Sequence, residues 1–148
     1  MSTIKVDTIQ TRGGVSEIAI DKLKGASSAS SISVVAEGGT NTTNLQQGLI
    51  KSWARIGGSS SGAPASDSFN VSGTTDSGSG NYEVAYSANF SDGEYCITIG
   101  DSHNANVASA THSRCNTSSA SGLGLESYYN GALEDPSNLF YQNSGDLA

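Results

Sequence analysis

Residues 68–100, SFNVSGTTDSGSGNYEVAYSANFSDGEYCITIG, decide the fold. Short runs at 67–71 (DSFNV), 82–86 (YEVAY) and 95–99 (YCITI) read as strands, and turn-forming clusters at 76–81 (DSGSGN) and 91–93 (SDG) stand between them. The cadence continues through 107–115 (VASATHSRC), 123–129 (LGLESYY) and 139–141 (LFY), with turn signals at 100–106 (GDSHNAN) and at Asn130-Gly131. Short strands at such spacing mark an antiparallel sandwich, here of about six to eight strands. The expected fold is mainly β: an antiparallel, jelly-roll-like β-sandwich head over residues 59–148, with helix almost absent past Gly58.

Upstream the period changes. Residues 40–58 (TNTTNLQQGLIKSWARIGG) place Thr43 three residues before Gln46, as in a capping box. Leu45, Leu49, Trp53 and Ile56 then recur at helical spacing before the Gly57-Gly58 stop. The spacing predicts a neck helix over 40–58. A helix this short, with Gly48 in its middle, is marginal alone in water, so its apolar stripe needs a cover. Two covers are open: three copies of the stripe around an axis, or one face of the following domain.

Residues 1–39 read as an extended N-terminal arm and linker. MSTIKVDTIQTRGG (1–14) alternates Ile4, Val6 and Thr8 against Lys5, Asp7 and Ile9, then reaches a Gly-Gly turn. A lone strand leaves its backbone groups unpaired, so it must join a sheet elsewhere in the chain or in another protein. Residues 15–23 (VSEIAIDKL) alternate weakly, and 25–33 (GASSASSIS) form a low-complexity linker that cannot offset its ordering entropy by burial.

Of the 148 residues, 35% are hydrophobic and only 14% charged, with 18 glycines; this composition favours turns and strands over helical bundles. The formal net charge of −7 is uneven. Residues 1–55 carry six basic side chains against four acidic ones, whereas 56–148 carry Arg114 alone against ten acids. Binding phosphates requires clustered Lys and Arg, so nucleic-acid binding by the acidic part is excluded. No apolar run reaches the roughly 20 residues of a membrane helix, and the N-terminus lacks the pattern of a signal peptide. The expected setting is cytosolic and reducing, where Cys96 and Cys115 are thiols more often than a disulfide.

Catalytic and metal constellations are weak. His103, His112, Cys96 and Cys115 offer no C-x-x-C or H-x-H pair, so no metal site and no cofactor is expected. No G-x-S-x-G elbow accompanies the abundant serines. Glu134-Asp135, or Asp92 with Glu94, would supply the carboxylate pair of a glycosidase, on a scaffold small for that chemistry. Residues 76–81 resemble a calcium loop but lack its terminal Glu and read as a hairpin turn. Four N-x-S/T sequons, at Asn41, Asn70, Asn89 and Asn116, follow from the composition. Tyr128, Tyr129 and Asn130 are the candidate ligand contacts, because exposed tyrosines stack on sugar rings, although one of two adjacent strand tyrosines faces the core.

Three blocks carry a family resemblance: the opening MSTIKVDTIQTRGG, GGTNTTNLQQGLIKSW at 38–53, and the run 68–100. Together they resemble fibre and virion structural proteins of tailed bacteriophages, particularly marine phages, in the same order and over more than half of the chain. The resemblance implies a non-enzymatic homotrimeric fibre located in the virion and assembled in host cytoplasm. Its arm (Ile4, Val6, Thr8, Ile9) would dock on other virion proteins, its neck (Leu45, Leu49, Trp53, Ile56) would trimerise, and its distal head would bind host-surface glycan or protein. Family members often carry shaft repeats between anchor and head, and this chain has none. The alternatives are therefore a capsid decoration or head-fibre protein and, in another class, a small carbohydrate-binding or carbohydrate-active module.

Overall fold

The computed structural model describes residues 22–23, 32–35, 39–45, 47–57, 65–103 and 111–148. Among these the chain forms strands and no helix. A two-stranded antiparallel ribbon comes first: β1 (Ser33–Val35) pairs with β2 (Thr42–Asn44), and Leu45 N donates to Ile32 O at 2.9 Å. The proposed docking residues Ile4, Val6, Thr8 and Ile9 lie outside the described residues.

The neck helix over 40–58 does not form. Residues Ile50–Gly57 are instead β3, a central strand hydrogen-bonded to β4 (Ala65–Phe69) on one side and β11 (Asn138–Ser144) on the other. Ser52, Ala54 and Ile56 alternate toward the core, and because two of the three are small, this period-2 signal was masked by the larger residues at helical spacing. The local helical signal has a narrower origin. Gly48 N donates to Asn44 O at 3.1 Å and Gln47 N to Asn44 Oδ1 at 3.1 Å, a single turn capped by Asn44. Pairing on both edges of β3 outweighs the weak propensity of a helix this short.

Two antiparallel sheets follow. One has the order β4-β3-β11-β7, where β7 is Cys96–Ser102. In the other, β9 (Gly122–Tyr129) pairs with β8 (Thr111–Ser119), β6 (Asn81–Tyr86) and the short β10 (Ala132–Leu133), and β6 pairs with β5 (Val71–Gly78). Eight strands thus follow residue 58 among the described residues, within the expected number. The expected strand at 67–71 is broken at Asn70, whose φ of 57° turns the chain from β4 in one sheet into β5 in the other. Asn tolerates this left-handed conformation, and the side chain secures it: Oδ1 accepts from Ala88 N at 2.6 Å and Nδ2 donates to Ala88 O at 3.0 Å.

Both sheets contribute to one core. Ala54, Ile56, Leu139 and Tyr141 come from the first, and Tyr82, Val84, Tyr86, Leu123 and Leu125 from the second, joined by Phe90. Each large side chain removed from water here contributes about 1.5–3 kcal/mol. The core is also polar in part. Ser52 Oγ and Tyr141 OH lie 2.8 Å apart, Asn143 Nδ2 donates to Tyr86 OH at 2.6 Å, and Tyr86 OH donates to Tyr95 OH at 3.0 Å. Tyr95 closes the chain by donating to Gly122 O at 3.0 Å. The phenols of Tyr82, Tyr86 and Tyr95 are pushed above their ordinary range by burial first, and Tyr141 is pushed up to about 12 by the same cause.

Candidate functional site

Strand β9 alternates, so Tyr128 and Tyr129 point to opposite faces. Tyr128 lies on the outer face, directly across from His112 of β8, and the two rings stack with centroids 4.5 Å apart and planes 6° apart. The Arg114 guanidinium sits 5.3 Å from the Tyr128 ring centroid. Glu126 ties the group together. Its Oε2 accepts from Arg114 Nε at 2.6 Å and from Tyr128 OH at 2.7 Å, and its Oε1 accepts from Asn116 Nδ2 at 3.0 Å.

The geometry is asymmetric. The Glu126 side chain is 12% exposed and that of Arg114 59% exposed, so a covered carboxylate holds an exposed cation and the half-buried Tyr128 in place. Arg114 above all, then Tyr128, hold the Glu126 carboxyl below the usual carboxylate range, while the same bond raises the Tyr128 phenol. Asn130, at φ 51°, and Gly131, at φ 83°, form the two-residue hairpin turn from β9 to β10, as their sequence signals. Asn130 therefore has a conformational role, at an exposed tip beside the cluster.

Tyr129 turns inward, its ring 5.2 Å from that of His103. His103 Nε2 lies 3.1 Å from Ser127 Oγ, which donates to Asp101 Oδ2 at 2.8 Å. These three residue types have the composition of a hydrolase triad but a different wiring. The serine proton is directed at the carboxylate, so Ser127 Oγ faces the imidazole as an acceptor, the reverse of nucleophile activation. Ser127 is also fully buried.

The other chemical candidates are accounted for by structure. Asp135 Oδ1 accepts from Gly80 N at 2.7 Å and Tyr82 OH at 3.0 Å, fixing the β5–β6 hairpin. Asp92 Oδ1 accepts from Glu94 N at 2.8 Å in the β6–β7 connection, and Asp76 Oδ1 from Gly78 N at 3.0 Å at the register shift near the end of β5. Cys96 is exposed and Cys115 half-buried, both as free thiols. Cys115 Sγ donates to Thr117 O at 3.0 Å. Among the described residues, no three His, Cys, Asp or Glu side chains converge as metal ligands, and no helix is long and apolar enough to cross a membrane.

The four residues assigned to a neck are dispersed. Ile56 is fully buried in the core, Trp53 is half-buried on the outer face of β3, Leu45 is half-buried in the turn and Leu49 is 50% exposed. Sequence reading missed His112, Arg114, Asn116 and Glu126 as partners of Tyr128. The signal available was alternation: HSRCN at 112–116 places His112, Arg114 and Asn116 on one face, and Glu126 and Tyr128 share the facing side of β9. No family model, curated protein or solved structure matches the chain.

Proposed function

We propose that the chain is a non-enzymatic bacteriophage virion protein, a short homotrimeric tail fibre anchored by residues 1–14, with its two-sheet head an outward-facing, jelly-roll-like sandwich for host-surface recognition. The observation that carries the recognition role is the outer face of β8 and β9, where covered Glu126 preorganises exposed Arg114 and half-buried Tyr128, on which exposed His112 stacks. Preorganised aromatic and Arg side chains lose little entropy on contact, which suits them to binding. The virion role rests on the resemblance of three sequence blocks.

Self-association has its own support. Trp53 pairs in register with Phe69 on the outer face of the β3–β11 sheet, near Phe140; Phe69 is 54% and Phe140 41% exposed. Apolar side chains gathered on one sheet face favour burial against another copy. Light scattering of the purified chain should give three times the monomer mass, and a stable monomer overturns the trimer. Deleting residues 1–14 should leave that assembly intact and abolish its incorporation into particles; normal incorporation overturns docking through the arm.

One observation favours the second reading, a capsid decoration or head-fibre protein. β2 ends at Asn44 and β3 begins at Ile50, which leaves no room for a shaft between ribbon and head. Copies per particle decide between the two, being few for a fibre and many for a decoration.

A further inference from the structure

The outer face of the β5–β6–β9–β8 sheet carries a second feature beside the Tyr128 cluster. Its register lays out two rows across the strands: Thr75, Glu83, Gly124 and Thr117 in one, and Gly73, Ala85, Gly122 and Ser119 in the next. The second row is nearly without side chains, and a groove of about 370 Å³ opens over it. A second recess of about 200 Å³ lies alongside. Glu83, Thr117 and Gly124 line both, so the Glu83 carboxylate stands where the two spaces meet.

Gly124 makes this layout possible. A Cβ there would collide with the Asn116 and Thr117 side chains, which fold back over the strand. Asn116 can then reach Glu126, which connects the recess physically to the Tyr128 cluster. Glycines at two alternate positions of a central strand weaken it, and close approach of other groups is what they permit.

We infer that this groove binds a neutral oligosaccharide, one sugar ring in each recess, with Glu83 accepting hydrogen bonds from its hydroxyls. Glu83 is exposed and has no hydrogen-bond or ion-pair partner among the described residues, so both carboxylate oxygens are available to a pair of vicinal hydroxyls. Thr75 adds a hydroxyl that both donates and accepts, and Thr117 and Ser119, whose protons go to Asn116 Oδ1 and Gly122 O, add acceptors for further ligand hydroxyls. The charge selects against acidic sugars. The cation on this face, Arg114, is neutralised by Glu126, and the basic side chains of β3, Lys51 and Arg55, belong to the opposite sheet. A sialylated, uronic or phosphorylated glycan would meet Glu83 uncompensated.

This inference deepens the receptor-binding reading and rests on it for its biological setting. The test is amide NMR of the full chain titrated with a panel of neutral gluco-, galacto- and manno-oligosaccharides and of sialylated and uronic-acid oligosaccharides. The expected result is saturable shifts from a neutral ligand, with Kd of about 1 mM or tighter, confined to residues 73–75, 83–85 and 117–124. Glu83→Ala should weaken binding about tenfold or more while preserving the remaining spectrum, and Thr75→Val, which keeps shape and removes a hydroxyl, should weaken it less. Shifts centred elsewhere, unchanged affinity in Glu83→Ala, preference for the acidic glycans, or no binding by any neutral member overturns the inference. Its failure is separable from that of the virion role: a chain incorporated into particles that binds no neutral glycan refutes only the groove, and a glycan-binding chain absent from particles refutes only the virion role.

Discussion

Replacing Ile56 by Ala separates a strand from a neck helix with one measurement. Ile56 is fully buried in β3, between β4 and β11 and against the opposite sheet. The substitution deletes three carbons at about 0.8 kcal/mol each, or about 2.4 kcal/mol of transfer free energy. The cavity left in a core fixed on both strand edges raises the cost to about 3–4 kcal/mol, inside the usual range of 2–5. For a domain of about 100 residues that lowers Tm by roughly 12–32 °C. Leu49, at 50% exposure, provides the control: Leu49→Ala should change stability by no more than about 0.5 kcal/mol. Trp53, the sole tryptophan, lies on the opposite face of the same strand and reports urea unfolding by its fluorescence. A helical neck would make Ile56 and Leu49 members of one stripe, with comparable losses. A cost below about 1 kcal/mol for Ile56→Ala, or equal costs for the two variants, refutes the assignment of β3.

Alkali should unfold the head early. The phenols of Tyr82, Tyr86, Tyr95 and Tyr141 have folded values raised above their ordinary one of about 10, so their contribution is full below that pH and is lost as pH rises toward the folded values. Phenolate absorbance should therefore rise for these four together with loss of β-sheet circular dichroism above about pH 10, and ionisation without unfolding contradicts the buried network. Glu126 has the opposite sign: its folded value is lowered, so its contribution is full above about pH 4.3 and is lost as pH falls through the folded value. Carboxyl NMR should place its midpoint below that of an ordinary Glu, and Arg114→Ala should move it up. Gly80→Ala should cost about 2–5 kcal/mol in urea unfolding, because φ is 68° and the added Cβ would approach Ser127 O to 2.5 Å and Glu134 N to 2.7 Å.

Much of the sheet was legible where large residues alternate. In β6 the core takes Tyr82, Val84 and Tyr86, and β11 sends Leu139 and Tyr141 inward, so composition and period agree. β3 was not legible, because its inward face is Ser52, Ala54 and Ile56 while its larger Trp53 faces out. β5 hid for a related reason: five of the eight residues of VSGTTDSG are Ser, Gly or Asp, which signal turns, and pairing with β6 overrides them. Of the candidate contacts, the opposition of Tyr128 and Tyr129 was readable from alternation. Their partners were not, because His112 and Arg114 reach Tyr128 only through the β8–β9 register, which depends on a bulge between Cys115 and Thr117.

The pairing of β3 with β11 also governs when the head can exist. Ser52 and Tyr141 are 89 positions apart in sequence, yet they share a hydrogen bond at the centre of the first sheet. During synthesis β3 emerges early and waits, one edge open, until β11 leaves the ribosome. Contacts of such separation form slowly, because closing the intervening loop is entropically costly before any burial compensates it. The core of the head therefore cannot close before β11 is available, and a chain that stops short of Asn138 lacks the strand that completes it.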